Sequence, residues 1–327
     1  MQQTFKSISF AKYIILTLCV GILVSCTSKI EKEIRQIPME FEFHRFDKAF
    51  ANTEVGGLEE IKETYPLFFD PSIPDSFWEE KLKDTLQIEL EEEVIKAFPE
   101  DESIYETVKN VFQHVKYYFP RFEPPTVYTS TTDVAYETKV ILSGKNMVIG
   151  LDNYLGSDHY FYEGIQTYFK KNMNADRLPV DVATELATYT VAPIQDRTFL
   201  SQMIYFGKVL YMTDFWVPDA SEAVVIGYTE DEWEWALENE EDIWRYFIER
   251  ELLYSTESGL KQRFIDSAPF SKFYLEIDNE SPGRIGAYMG WQIVTSYMKR
   301  NDVSMEDLAI LDADLIYKNS NYKPRKK

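Results

Sequence analysis

Side chains able to do chemistry are few and scattered in this 327-residue sequence. The only three histidines, His44, His114 and His159, stand far apart, and none shares a zinc-type spacing with a second histidine. His159 draws most interest, in the polar loop Gly156-Ser157-Asp158-His159. No Gly-x-Ser-x-Gly elbow marks a serine nucleophile, and neither GxGxxG nor GxxxxGK[ST] occurs to cradle a phosphate. Asp152-Asn153 lacks the alternating oxygen ligands, central glycine and terminal glutamate of a calcium loop. Carboxylate runs such as Glu91-Glu92-Glu93 and Glu240-Glu241-Asp242 read as solvated helix faces in so acidic a chain. The residues therefore predict no cofactor and no metal.

Cysteine usage turns on the N-terminus. Lys6 and Lys12 form a basic leader, and Tyr13 to Ser25 is apolar but too short for a spanning helix, which needs about 20 residues. It ends in Leu23-Val24-Ser25-Cys26, which resembles a bacterial lipobox. This predicts a signal peptide over 1–25 and lipidation, palmitate included, at Cys26. Cys19 leaves with the signal and Cys26 carries the lipid, so no thiol remains for a disulfide, metal site or nucleophile. The 55 acidic residues outnumber 34 basic ones, for a formal charge of −21, which argues against nucleic-acid binding. Anionic lipid would also repel such a body, so acyl chains are expected to hold it at the membrane.

The elements that must position any site follow. Residues 26–38 are polar and read as a lipidated terminus and tether, 39–320 as one domain, and 321–327 as a solvated basic tail. There is no fixed-period repeat or low-complexity block. Phe41 to Phe46 alternates apolar and polar residues as a half-buried strand does. Ile104 to Tyr118 reads as a helix, Thr126 to Thr132 as a strand, and Val140–Leu142 and Met147–Ile149 as a hairpin around Ser143-Gly144-Lys145-Asn146. From about 160 the pattern is helical, with a capping box at Thr229 and Glu232. Ile243, Trp244, Phe247, Ile248 and Leu252 form one apolar face. The class is α+β, helix-rich, with a small antiparallel sheet.

Two helices carry a resemblance. Pro179 to Val191 follows the strand, hairpin and polar loop, the order used by zincin-type metallopeptidases, whose helix bears HExxH. Here that frame reads Thr184-Glu185-Leu186-Ala187-Thr188, with hydroxyls where two zinc-binding imidazoles would stand. Downstream, Glu280-Ser281-Pro282-Gly283-Arg284-Ile285-Gly286 begins a second helix, with Ser281 as cap and Pro282 in the first turn. Gly283, Gly286 and Gly290 share a face there, which invites close packing. Lipobox, degenerate frame, Gly227-Tyr228-Thr229 before a Trp helix, and this Pro-Gly-Arg-Ile-Gly helix together resemble the GldB gliding-motility lipoproteins of the Bacteroidetes.

The resemblance implies a zincin-like single domain in a lipid-anchored cell-envelope protein required for gliding and tied to type IX secretion. It implies no catalytic residue. The expected role is that of a non-catalytic pseudo-metallopeptidase binding envelope protein partners, with Thr184, Glu185 and Thr188 facing a degenerate cleft. Two alternatives stand beside it: an envelope glycan binder using aromatic platforms, and a hydrolase rebuilt around Glu185 with His159 or a distant carboxylate.

Overall fold

The computed structural model describes residues 29–275 and 278–326. The segment expected to be a signal peptide (1–25) and Cys26 lie outside the described residues. Four short strands form one sheet in the order β1-β2-β4-β3, where β1 is Phe43–Arg45, β2 Thr126–Ser130, β3 Val140–Ser143 and β4 Asn146–Gly150. The expected hairpin is present, with Val140 opposite Ile149 and Gly144 at φ +60° in the two-residue loop. Elsewhere the sheet departs from the expected antiparallel form: β1 and β2 pair parallel, as do β2 and β4, so the sheet is mixed. Parallel pairing requires a long crossover, which the helices between Arg45 and Thr126 supply for β1 and β2 and the segment 131–145, with β3, supplies for β2 and β4.

The helices that bear on the argument are α1 (Phe46–Ala51), α2 (Thr85–Ala97), α3 (Asp101–Tyr118), α4 (Arg177–Thr190), α5 (Phe199–Trp216), α6 (Glu222–Ile226), α7 (Glu230–Glu238), α8 (Glu240–Glu249), α9 (Ile285–Met298) and α10 (Ala313–Ser320). Helix and a small sheet together make a helix-rich α+β fold. α5 and α9 are apolar nearly all round and form its centre, with Met203, Ile204, Met212 and Trp216 meeting Ala287, Tyr288, Ile293 and Val294 in one core. Their crossing is set by glycine. A Cβ at Gly290 would overlap the Met203 carbonyl, and one at Gly207 would overlap the Gly290 backbone.

α9 starts later than the sequence predicts. Ser281 is not its cap: the Ser281 hydroxyl accepts from Ser271 N–H (3.1 Å) and donates to Asp278 O (2.7 Å). The cap position belongs to Arg284, in the left-handed conformation at φ 60°, ψ 22°. Gly283 just before it lies against the Ala268 carbonyl, where a side chain has no room. The Thr229–Glu232 capping box is present at the start of α7.

Three other segments correct the reading. The tether is docked: residues 29–35 are helical, Ile34 is 1% exposed, and Glu31 and His114 of α3 are 3.0 Å apart. Gln113 also donates to Ile37 O at 2.8 Å. The tail is docked too, because Tyr322 O–H (2.6 Å) and Arg325 N–H (2.9 Å) both donate to Glu240. Glu240 and Glu91 are buried rather than solvated; Tyr288 O–H donates to the other Glu240 oxygen at 2.8 Å, and Gln87 to Glu91. Local charge density could not reveal the partners of Glu240, which distant elements supply.

Asp214 on α5 yields a stability prediction. Burial, with Glu222 adding to it, pushes its carboxyl up to about 6 from an ordinary 3.8. As pH rises through this window the unfolded chain releases its proton first, so native stability falls between about pH 4 and 6. Asp214→Asn removes that loss. Thermal unfolding from pH 4 to 8 should show the variant more stable at pH 7.5 by about 1–2 kcal/mol after allowance for partial exposure, with the gap closing near pH 4. An equal gap at every pH would contradict it.

Candidate functional site

α4 runs beside the free edge of β3, and this places Glu185. Leu142 N–H, which points away from β4, donates to Glu185 Oε1 at 2.9 Å. The carboxylate thus satisfies an edge-strand donor that a further strand would otherwise take. Thr184 is half-buried, its hydroxyl 3.4 Å from that of Thr213 on α5. Thr188 is exposed and does not line the cavity that holds the other two. The frame therefore brings Thr184 and Glu185 together and leaves Thr188 on the outer surface.

That cavity, about 580 Å³, lies among α4, the 136–140 segment, Tyr168–Asn172, Gly227-Tyr228 and the turn before α9. One helical turn before Glu185, Asp181 joins two cations. Arg177 Nη2 donates to it at 2.7 Å and Lys139 Nζ at 3.2 Å, with Tyr154 O–H at 3.2 Å. The three charged side chains are only 10–16% exposed. Burial works to raise the Asp181 carboxyl, but Arg177 and Lys139 outweigh it and hold it below its ordinary value. Burial lowers the Lys139 ammonium, which Asp181 offsets in part.

The adjoining part of the wall joins the motifs that carried the resemblance. Arg284 Nη1 donates to Ile226 O at 2.8 Å, Tyr228 O–H to Gly283 O at 2.7 Å, and Asn172 to Gly227 O at 3.1 Å. Arg177 also donates to Val224 O, so two arginines cap the last carbonyls of α6. Gly227 ends that helix at φ +83°. Sequence reading missed Arg177, Asp181 and Lys139. The i, i+4 pair of Arg177 and Asp181 was a visible signal, whereas Lys139 joins only through tertiary folding.

The histidines lie elsewhere. His159 Nε2 meets Glu93 at 3.1 Å and does not line the cavity, so the structure does not bring it to Glu185. His44 stacks on Tyr128 at 4.9 Å. Among the described residues, no three His, Cys, Asp or Glu side chains are grouped to hold a metal ion. The tryptophans are turned inward: Trp216 and Trp291 are buried, and Trp78, Trp233, Trp235 and Trp244 half-buried.

The family described as Gliding motility protein GldB matches residues 27–324. The chain belongs to this family of gliding-motility lipoproteins. Comparison with curated proteins and with solved structures returns no match. Among the described residues no helix is long and apolar enough to cross a membrane.

Proposed function

We propose that this chain is a lipid-anchored, non-catalytic component of the gliding machinery in the cell envelope. Cys26 carries the anchor, the body is a zincin-like pseudo-metallopeptidase, and its cleft binds a partner in a process linked to type IX secretion. Family membership supports the gliding and lipoprotein parts. The observation behind the non-catalytic part is the Glu185–Leu142 contact, in which the carboxylate at the frame's general-base position serves as acceptor for a sheet-edge N–H. An acceptor held by a backbone donor at 2.9 Å supports the strand; a base must instead face the proton it takes.

A strain carrying only Glu185→Gln tests this. Glutamine keeps a carbonyl oxygen for Leu142 N–H but cannot act as a base. Gliding at normal speed with normal protein level is expected. Loss of gliding at normal protein level would overturn the non-catalytic reading and favour a rebuilt hydrolase.

A further inference from the structure

The Arg284 guanidinium has more donors than the protein uses. One N–H goes to Ile226 O, and among the described residues no carboxylate lies within ion-pair distance. Guanidinium carries five N–H donors, and this one lines the cavity. The backbone holds it there in the left-handed region, an arrangement that is strained for a residue with a side chain. Nearby, Asp181 is shared by two cations, and buried Arg177 Nε has no hydrogen-bond partner. Lys171, at the rim, is matched by Glu232. The lining carries Lys139, Lys171, Arg177 and Arg284 against Glu137, Asp181, Glu185 and Asp266, and among those cations Arg284 alone has no carboxylate within ion-pair distance.

Resting on the partner-binding reading above, we infer that this cavity receives the free carboxyl terminus of a peptide, with Arg284 as its receptor. A guanidinium matches a planar carboxylate with two parallel hydrogen bonds. A single negative charge suits one unpaired guanidinium, because Glu137, Glu185 and Asp266 also line the space and would repel a phosphate dianion. The size favours more than a lone acid: about 580 Å³ is within the range that takes ligands of a few hundred daltons. Tyr136, Tyr168, Phe169 and Phe206 supply apolar wall for side chains, and the acidic groups can accept backbone N–H groups of the peptide.

The test uses purified full-length protein in detergent and calorimetric titration with a tripeptide pool of varied C-terminal residues. The same pool amidated at the C-terminus, succinate, and inorganic phosphate are titrated alongside. Free-acid peptides are expected to bind, with amidation and Arg284→Lys each weakening binding at least tenfold. Equal binding of free and amidated peptides, binding of phosphate alone, or binding of no probe would overturn the inference. Succinate binding as tightly as the peptides would overturn the peptide source. Should Arg284→Lys fail to fold, the comparison of free with amidated peptide on the wild-type protein still decides. Mass spectrometry of the recovered peptides separates the two readings: cleavage would sink the non-catalytic proposal and leave carboxylate capture standing.

Discussion

Gly290→Ala should destabilise the protein by about 3 kcal/mol or more, although alanine is the better helix former by about 1 kcal/mol. The two effects have opposite signs, which makes the result diagnostic. At Gly290 the added methyl meets the Met203 carbonyl of α5. A backbone carbonyl cannot swing aside as a flexible side chain does, so the helices must part along a crossing that buries Tyr288, Ile293 and Trp291. A domain with about 5–15 kcal/mol of total stability loses a large share of it. Gly56→Ala is the control, since nothing lies within 4 Å of the new methyl. Urea unfolding should show a much lower midpoint for Gly290→Ala and little change for Gly56→Ala. A midpoint raised at Gly290 would show that helix propensity outweighs the close crossing.

Asp181→Asn is the second large effect. It leaves Arg177 and Lys139 largely buried without the carboxylate they share, a change that costs about 3–5 kcal/mol when a buried pair is broken. The pH dependence follows from the lowered carboxyl of Asp181. A group depressed in the folded state contributes stability above its unfolded value, near 4, and loses it as pH falls through the folded value. The gap between wild type and Asp181→Asn should therefore be full at pH 6–7 and shrink toward pH 3. Thermal midpoints over that range check it, and a gap that widens in acid would contradict the assigned charge state. The same change should loosen the cleft, because Lys139 also holds Asn172 O at 2.6 Å.

What could be read from the sequence was local. The Thr229–Glu232 cap, the Gly144 hairpin and the close-packing glycines each state their structure within a few residues, and each is found. Parallel pairing of β1 with β2 was not legible, because it joins residues more than 80 positions apart through a helical crossover. The docking of residues 29–37 was hidden for the same reason: His114 and Gln113, which receive them, lie on α3. At the cleft, Thr184 and Glu185 line the cavity, while Thr188, one helical turn beyond Thr184, is exposed. Arg284 stood inside the motif as read, yet its position depends on a left-handed backbone that sequence does not announce for arginine.

Single-cell gliding of two strains compared side by side, at matched protein levels, reaches the central claim that the cleft works by binding rather than by chemistry. Glu185→Gln retains the Leu142 acceptor and should glide normally; Arg284→Lys keeps the charge but loses the planar fork and should slow or stall. The reverse pattern, with Glu185→Gln immobile and Arg284→Lys gliding freely, would contradict that claim.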